Sequence, residues 1–162
     1  MAVRKLVLDD VFEEAQYTLI AMHCTIEDYR LAYLLNKYLG INLTRKRADL
    51  DFKRDQSAYS IFEWEDHKQL TTWNLVSNIF KTEVEVVQTS EQSLFKTEAN
   101  ITKTYNLIPE YKRVNYFLKI ETDTNFSKAT YILSHVLNIP QIVTAYNVDV
   151  NQLKSKDNLI FS

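Results

Sequence analysis

Apolar residues recur at 31, 34, 35, 38 and 39 (Leu, Leu, Leu, Tyr, Leu) and again at 129, 132, 133, 136 and 137 (Ala, Ile, Leu, Val, Leu). Both sets follow the i, i+3, i+4, i+7, i+8 stripe of a helix with one buried face. The second set is the first displaced by 98 positions (129 − 31), and the flanks agree too. Thr25 and Asp123 can each cap a helix start, Gly40 and Asn138 can each take the left-handed turn that ends one, and Ile41 and Ile139 follow. The spacing predicts helices over about 25–39 and 124–137, each preceded by a strand-like segment, 17–23 and 115–121.

Alternation of polar and apolar positions predicts strands in between. Segment 43–53 carries Asp49-Leu50-Asp51-Phe52, and Asp55-Gln56-Ser57 signals a turn. Segments 58–65 and 69–76 read as a hairpin around Asp66-His67-Lys68, in which a four-residue loop sets Phe62 against Trp73 and Trp64 against Thr71. Segment 83–87 alternates, 89–99 is turn-like, and 101–108 with 114–120 reads as a second hairpin turning at Pro109-Glu110. Val114, Tyr116, Leu118 and Ile120 then share one face. Pro140 ends the second helix, 142–146 is a last strand, and 151–162 is a polar tail whose Leu159-Ile160-Phe161 is expected to dock on the body.

The expected fold is α+β: an antiparallel sheet with two helices packed on one face, in a single domain over 1–162. Strand–helix pseudo-repeats at about 15–53 and 113–150 are joined by β-hairpins inserted at about 57–108. An uncovered sheet face and open edge strands are expected, and they invite a homodimer.

Composition narrows the chemistry. One glycine in the chain, Gly40, leaves no phosphate-cradling loop, which needs several. A net charge of −2 gives no general attraction to nucleic acid. No apolar run approaches the roughly 20 residues of a membrane helix. Residues 1–14 alternate charged and apolar side chains, unlike a secretion signal. Cys24 is the only cysteine. A cytoplasmic protein without membrane contact is expected.

Residues 108–116 read Ile-Pro-Glu-Tyr-Lys-Arg-Val-Asn-Tyr. This resembles the signature of the IPExxxVDY family, a bacterial family named for that motif and carrying no assigned activity. Ile108, Pro109, Glu110, Val114 and Tyr116 match, whereas Asn115 stands where the family has Asp. The 49–52 stretch resembles an earlier region of the same family. The resemblance implies no cofactor and no catalytic residue, and Asn115 weakens any acid–base or metal role at that position, since an amide carries no full negative charge. Read physically, the motif is a hairpin signature: Pro109 fixes the turn, Glu110 bonds turn N–H groups, and Val114 and Tyr116 enter the core. The alternative is a binding surface built on the turn.

Cys24 precedes a helix and could be activated there, but its neighbour His23 faces away on a strand, so a buried thiol is the plainer reading. Asp49 and Asp51 share a strand face and could hold a cation or form an acid–base pair, or line a solvated face. Arg45, Lys46, Arg47, Lys53 and Arg54 with Phe62, Trp64 and Trp73 combine cations with aromatics, as a single-stranded RNA surface does, although nucleic acid remains the minor expectation. The histidines have no metal-ligand spacing, and neither a metal nor a cofactor is expected. A non-enzymatic binding or protein-interaction module is therefore the leading expectation, with a homodimer or another protein as partner. The alternative is an ACT-like small-molecule-binding regulatory domain, by fold analogy alone.

Overall fold

The computed structural model describes residues 17–88, 97–122 and 127–161. The expectations for 1–14, the Asp123 cap, the first residues of the second helix and most of the 89–99 turn lie outside them.

Tyr17–His23 forms β1, and Asp28–Leu39 forms α1. Thr44–Arg45, Leu50–Phe52 and Ser57–Tyr59 are β2, β3 and β4. Ile61–Asp66 and Thr71–Ser77 are β5 and β6, and Ile79–Gln88 and Thr97–Asn106 are β7 and β8. Tyr116–Thr122 is β9, Ala129–Leu137 is α2 and Thr144–Asn147 is β10. Among the described residues six antiparallel strands make the central sheet in the order β10-β1-β9-β6-β5-β2. Each strand–helix unit is thus a split β-α-β crossover: β1-α1-β2 spans β9, β6 and β5, and β9-α2-β10 spans β1.

Both helices lie on one face. Leu31, Ala32 and Leu35 of α1 and Ile132 and Val136 of α2 pack over Ile20, Met22, Phe62, Trp73, Leu75, Leu118 and Ile120. The stripes place Leu31, Leu35, Ile132 and Val136 as expected, Ala32 joins them from outside the stripe, and Leu137 is 48% exposed. Gly40 ends α1 at φ 66°, whereas Asn138 stays right-handed at φ −76° because its N–H bonds back to His135 and Val136. Thr25 does not cap α1, which starts three residues later at Glu27-Asp28. The delay has a tertiary cause: Cys24 N–H donates to Asn115 Oδ1 (3.1 Å) and Tyr116 O–H donates to the Ile26 carbonyl (2.8 Å), so 24–26 is tied to residues 115–116 before the helix begins.

The other face is covered, contrary to expectation. Leu19, Ala21, Ile61, Val76 and Phe117 pack under Tyr59, Leu107, Ile108, Val114 and the C-terminal Val150, Leu153 and Leu159. The β5–β6 loop holds four residues, but Trp64 faces Trp73 and Phe62 faces Leu75. The register is shifted by two residues, which leaves every side chain on its expected face. Leu70 closes that loop at φ 54°, and Asp66 accepts from the N–H of Lys68 (3.0 Å).

The second expected hairpin is absent. β8 pairs with β7, not with β9, and the two make a separate ribbon. β9 lies instead between β1 and β6. Residues 107–115 are a turn that includes the 3-10 segment Pro109–Tyr111. Val114 therefore sits on the tail-covered face with Phe117, opposite Tyr116, Leu118 and Ile120.

Candidate functional site

The motif turn is built around Asn78, a buried residue in the single-residue break between β6 and β7. Its Nδ2 donates to the carbonyls of Tyr111 (2.8 Å) and Val114 (2.8 Å), and its Oδ1 accepts from Ile108 N–H (2.8 Å). Its own N–H donates to Asn115 O and its carbonyl accepts from Leu107 N–H, both at 2.9 Å. A buried amide thereby satisfies a turn that lacks a strand partner. Asn106 adds a donor to the Lys112 carbonyl (3.1 Å). Neither asparagine stood out in the sequence; the available signal was a polar residue interrupting each of two alternating runs.

Glu110 bonds its own backbone N–H in the turn and, beyond it, a distant segment. Its carboxylate accepts from the N–H groups of Lys154 (3.0 Å) and Ser155 (3.1 Å) and from Ser155 O–H (2.5 Å). Desolvation pushes its pKa up, yet the Ser155 and Lys154 hydrogen bonds outweigh this and hold the carboxyl below its usual range. Lys119, a buried cation, anchors the same tail. Its Nζ donates to the Leu159 carbonyl (2.7 Å), pairs with Glu121 (3.2 Å) and lies 4.7 and 4.9 Å from the Tyr17 and Phe161 ring centres. Burial, with Glu121 and Asp157 nearby, pushes the Tyr17 hydroxyl up to about 12.

The remaining motif residues hold the strand–helix junction. Asn115 Oδ1 accepts the Cys24 N–H. Burial raises the Tyr116 hydroxyl above its ordinary range. Cys24 is buried, and desolvation pushes its thiol up to about 11, the opposite of an activated nucleophile.

The other singled-out residues meet in small groups, Arg45 with Asp49 and the Phe62 ring and Trp64 with Trp73, and do not gather at one site. Asp49 is engaged by Arg45, and exposed Asp51 lies on β3 opposite Ala58. Arg47 is exposed, and Lys46 pairs with Glu63 at 3.2 Å. Trp73 and Phe62 are buried beneath the helices and Trp64 is half-buried against them, so these rings are not an open stacking platform. Among the described residues, no three His, Cys, Asp or Glu side chains gather as a metal site. No described helix is long and apolar enough to cross a membrane.

Two surfaces stand out. The first is the ribbon. Phe80, Thr82 and Val84 of β7 pair with Tyr105, Lys103 and Ile101 of β8 on one face, while Lys81, Glu83 and Glu85 line the other. Phe80 contacts Tyr59 and joins the core, but Val84, Val86 and Ile101 belong to neither core cluster. The second is the outer helix surface, where Tyr29, Tyr33 and Tyr131 are more than half exposed.

The fold and these surfaces define an α+β domain of two split β-α-β crossovers, with a hairpin inserted in its sheet and a ribbon beside it. Comparison with protein-family models, with curated proteins and with solved structures gives no match.

Proposed function

We propose that this chain is a non-enzymatic interaction module whose β7–β8 ribbon is the contact arm, and that its first partner is a second copy of the chain. One observation carries this reading: the ribbon continues an apolar face past Phe80, through Val84, Val86 and Ile101, and among the described residues none of these three joins a core cluster. A two-stranded ribbon alone is marginal in water, so covering that face stabilises it. Lys103 is the one charged residue among the Phe80–Val84 pairs on this face, and Lys81, Glu83 and Glu85 point away, so two copies meeting apolar face to apolar face bury no like-charge cluster. Among the described residues both edges of the ribbon are unpaired and can add strands. Strand spacing and rise give one ribbon face an area of ~300 Å². That is well below the ~800 Å² per partner of a stable complex, so the association is reversible and concentration-dependent.

Sedimentation velocity over a hundredfold concentration range tests this. The native chain is expected to shift from monomer toward dimer, and Val84→Glu/Ile101→Lys, an opposite-charge pair that preserves the hairpin, is expected to stay monomeric. A native chain monomeric throughout overturns the proposal. So does a dimer that survives this change but is lost in Tyr33→Ala/Tyr131→Ala.

A further inference from the structure

Behind the motif turn lies a cavity of about 400 Å³ where three segments remote in sequence converge. His23 ends β1, Tyr146 lies in β10, and Tyr111, Lys112 and Arg113 come from the turn. We propose that this cavity binds a small aromatic anion, its ring against the tyrosines and its oxyanion at Arg113 and Lys112.

The walls are fixed by backbone bonds. Val143 N–H donates to the His23 carbonyl (2.8 Å), Asn115 N–H to the Met22 carbonyl (3.1 Å), and Asn78 grips the turn from behind. The site is therefore preformed, and its volume lies in the roughly 300–1,000 Å³ range of ligand pockets. One wall is aromatic. The Tyr111 and Tyr146 ring centres are 6.5 Å apart, and His23, hydrogen-bonded to the Tyr146 hydroxyl (3.1 Å), lies 5.6 Å from that ring. Planar rings stack on such a surface.

Charge selects the ligand's sign. Glu110 borders the cavity and keeps its negative charge, but its oxygens are turned to the Lys154 and Ser155 donors, and Lys112 with Arg113 leaves the lining net positive. Lys112 and Arg113 are exposed and pair with no carboxylate among the described residues. Arg presents a planar fork that takes two oxygens of a carboxylate or phosphate. This site is independent of the ribbon, and its test does not depend on oligomeric state.

Nitrogen-15-labelled protein is titrated with indole-3-carboxylate and adenosine monophosphate, and with the neutral indole-3-carboxamide and adenosine. At least one anion is expected to shift the signals of His23, Tyr111 and Tyr146 at millimolar concentration or below, and the stronger of the two identifies the oxyanion. Arg113→Gln, at an exposed position, is expected to weaken the anion roughly tenfold and leave the neutral probes unchanged. The proposal is overturned if no probe moves these signals, if the neutral compounds bind as well as the anions, or if Arg113→Gln leaves anion binding intact.

Discussion

The β5–β6 hairpin and the β7–β8 ribbon are adjacent in sequence and alike in pattern, yet they end in different places. The hairpin is wedged between β2 and β9, with helices over one face and the C-terminal tail over the other. Among the described residues the ribbon has no third strand and keeps an apolar face outside both cores. Alternation creates a strand with two chemically distinct faces, but it does not say how many neighbours will cover them. One residue, Asn78, separates the two cases, because it turns the chain out of the sheet and takes up the hydrogen bonds of the motif turn.

That contrast can be broken by mutation. Trp73→Ala, in the covered hairpin, is expected to lower unfolding free energy by about 3–5 kcal/mol, through lost burial and the cavity left behind. Urea denaturation measures this, and a loss under ~1 kcal/mol would show that the hairpin is not core. Asn78→Ala comes next. It leaves the Ile108 N–H and two carbonyls unpaired in a buried site, at a cost of about 2–3 kcal/mol by the same assay. Hydrogen exchange should localise its first effect to 107–115, and uniform loosening of all strands would refute the hinge role.

A third test concerns the tail that covers the hairpin. Because folding lowers the Glu110 pKa, its contribution is complete above its ordinary value of 4.5 and is lost as pH falls through the lower folded value. Acidification should release 150–161 to proteolysis in the native chain. Glu110→Gln should remove that pH dependence, and identical acid profiles for the two proteins would disprove the clasp. The smallest effect is expected on the ribbon. Val84→Thr and Ile101→Thr should each change monomer stability by no more than about 0.5 kcal/mol, in contrast with Trp73→Ala. Thermal melts at low concentration check this.

Much of the architecture was legible beforehand. The stripes of α1 and α2 and the runs of β1, β6 and β9 follow local periods of 3.6 and 2, and these assign each side chain a face whatever surrounds it. The β5–β6 register differs from the expected one by two residues and still leaves Phe62, Trp64 and Trp73 on the expected side, since a shift of two preserves the period. The Glu110 carboxylate is legible as a hydrogen-bond acceptor for its turn, whereas its donors 44 and 45 residues away are not.

The chain's own periodicity therefore determined that this is an α+β protein with two amphipathic helices over an antiparallel sheet. Tertiary structure alone decided the partner of β8, the start of α1, the covering of the second face and the cavity behind the motif turn. Each of these depends on bonds between residues far apart in sequence: Asn78 to Val114 spans 36 positions and Cys24 to Asn115 spans 91. Periodicity is set by neighbours along the chain, whereas those bonds exist only once the segments have been brought together.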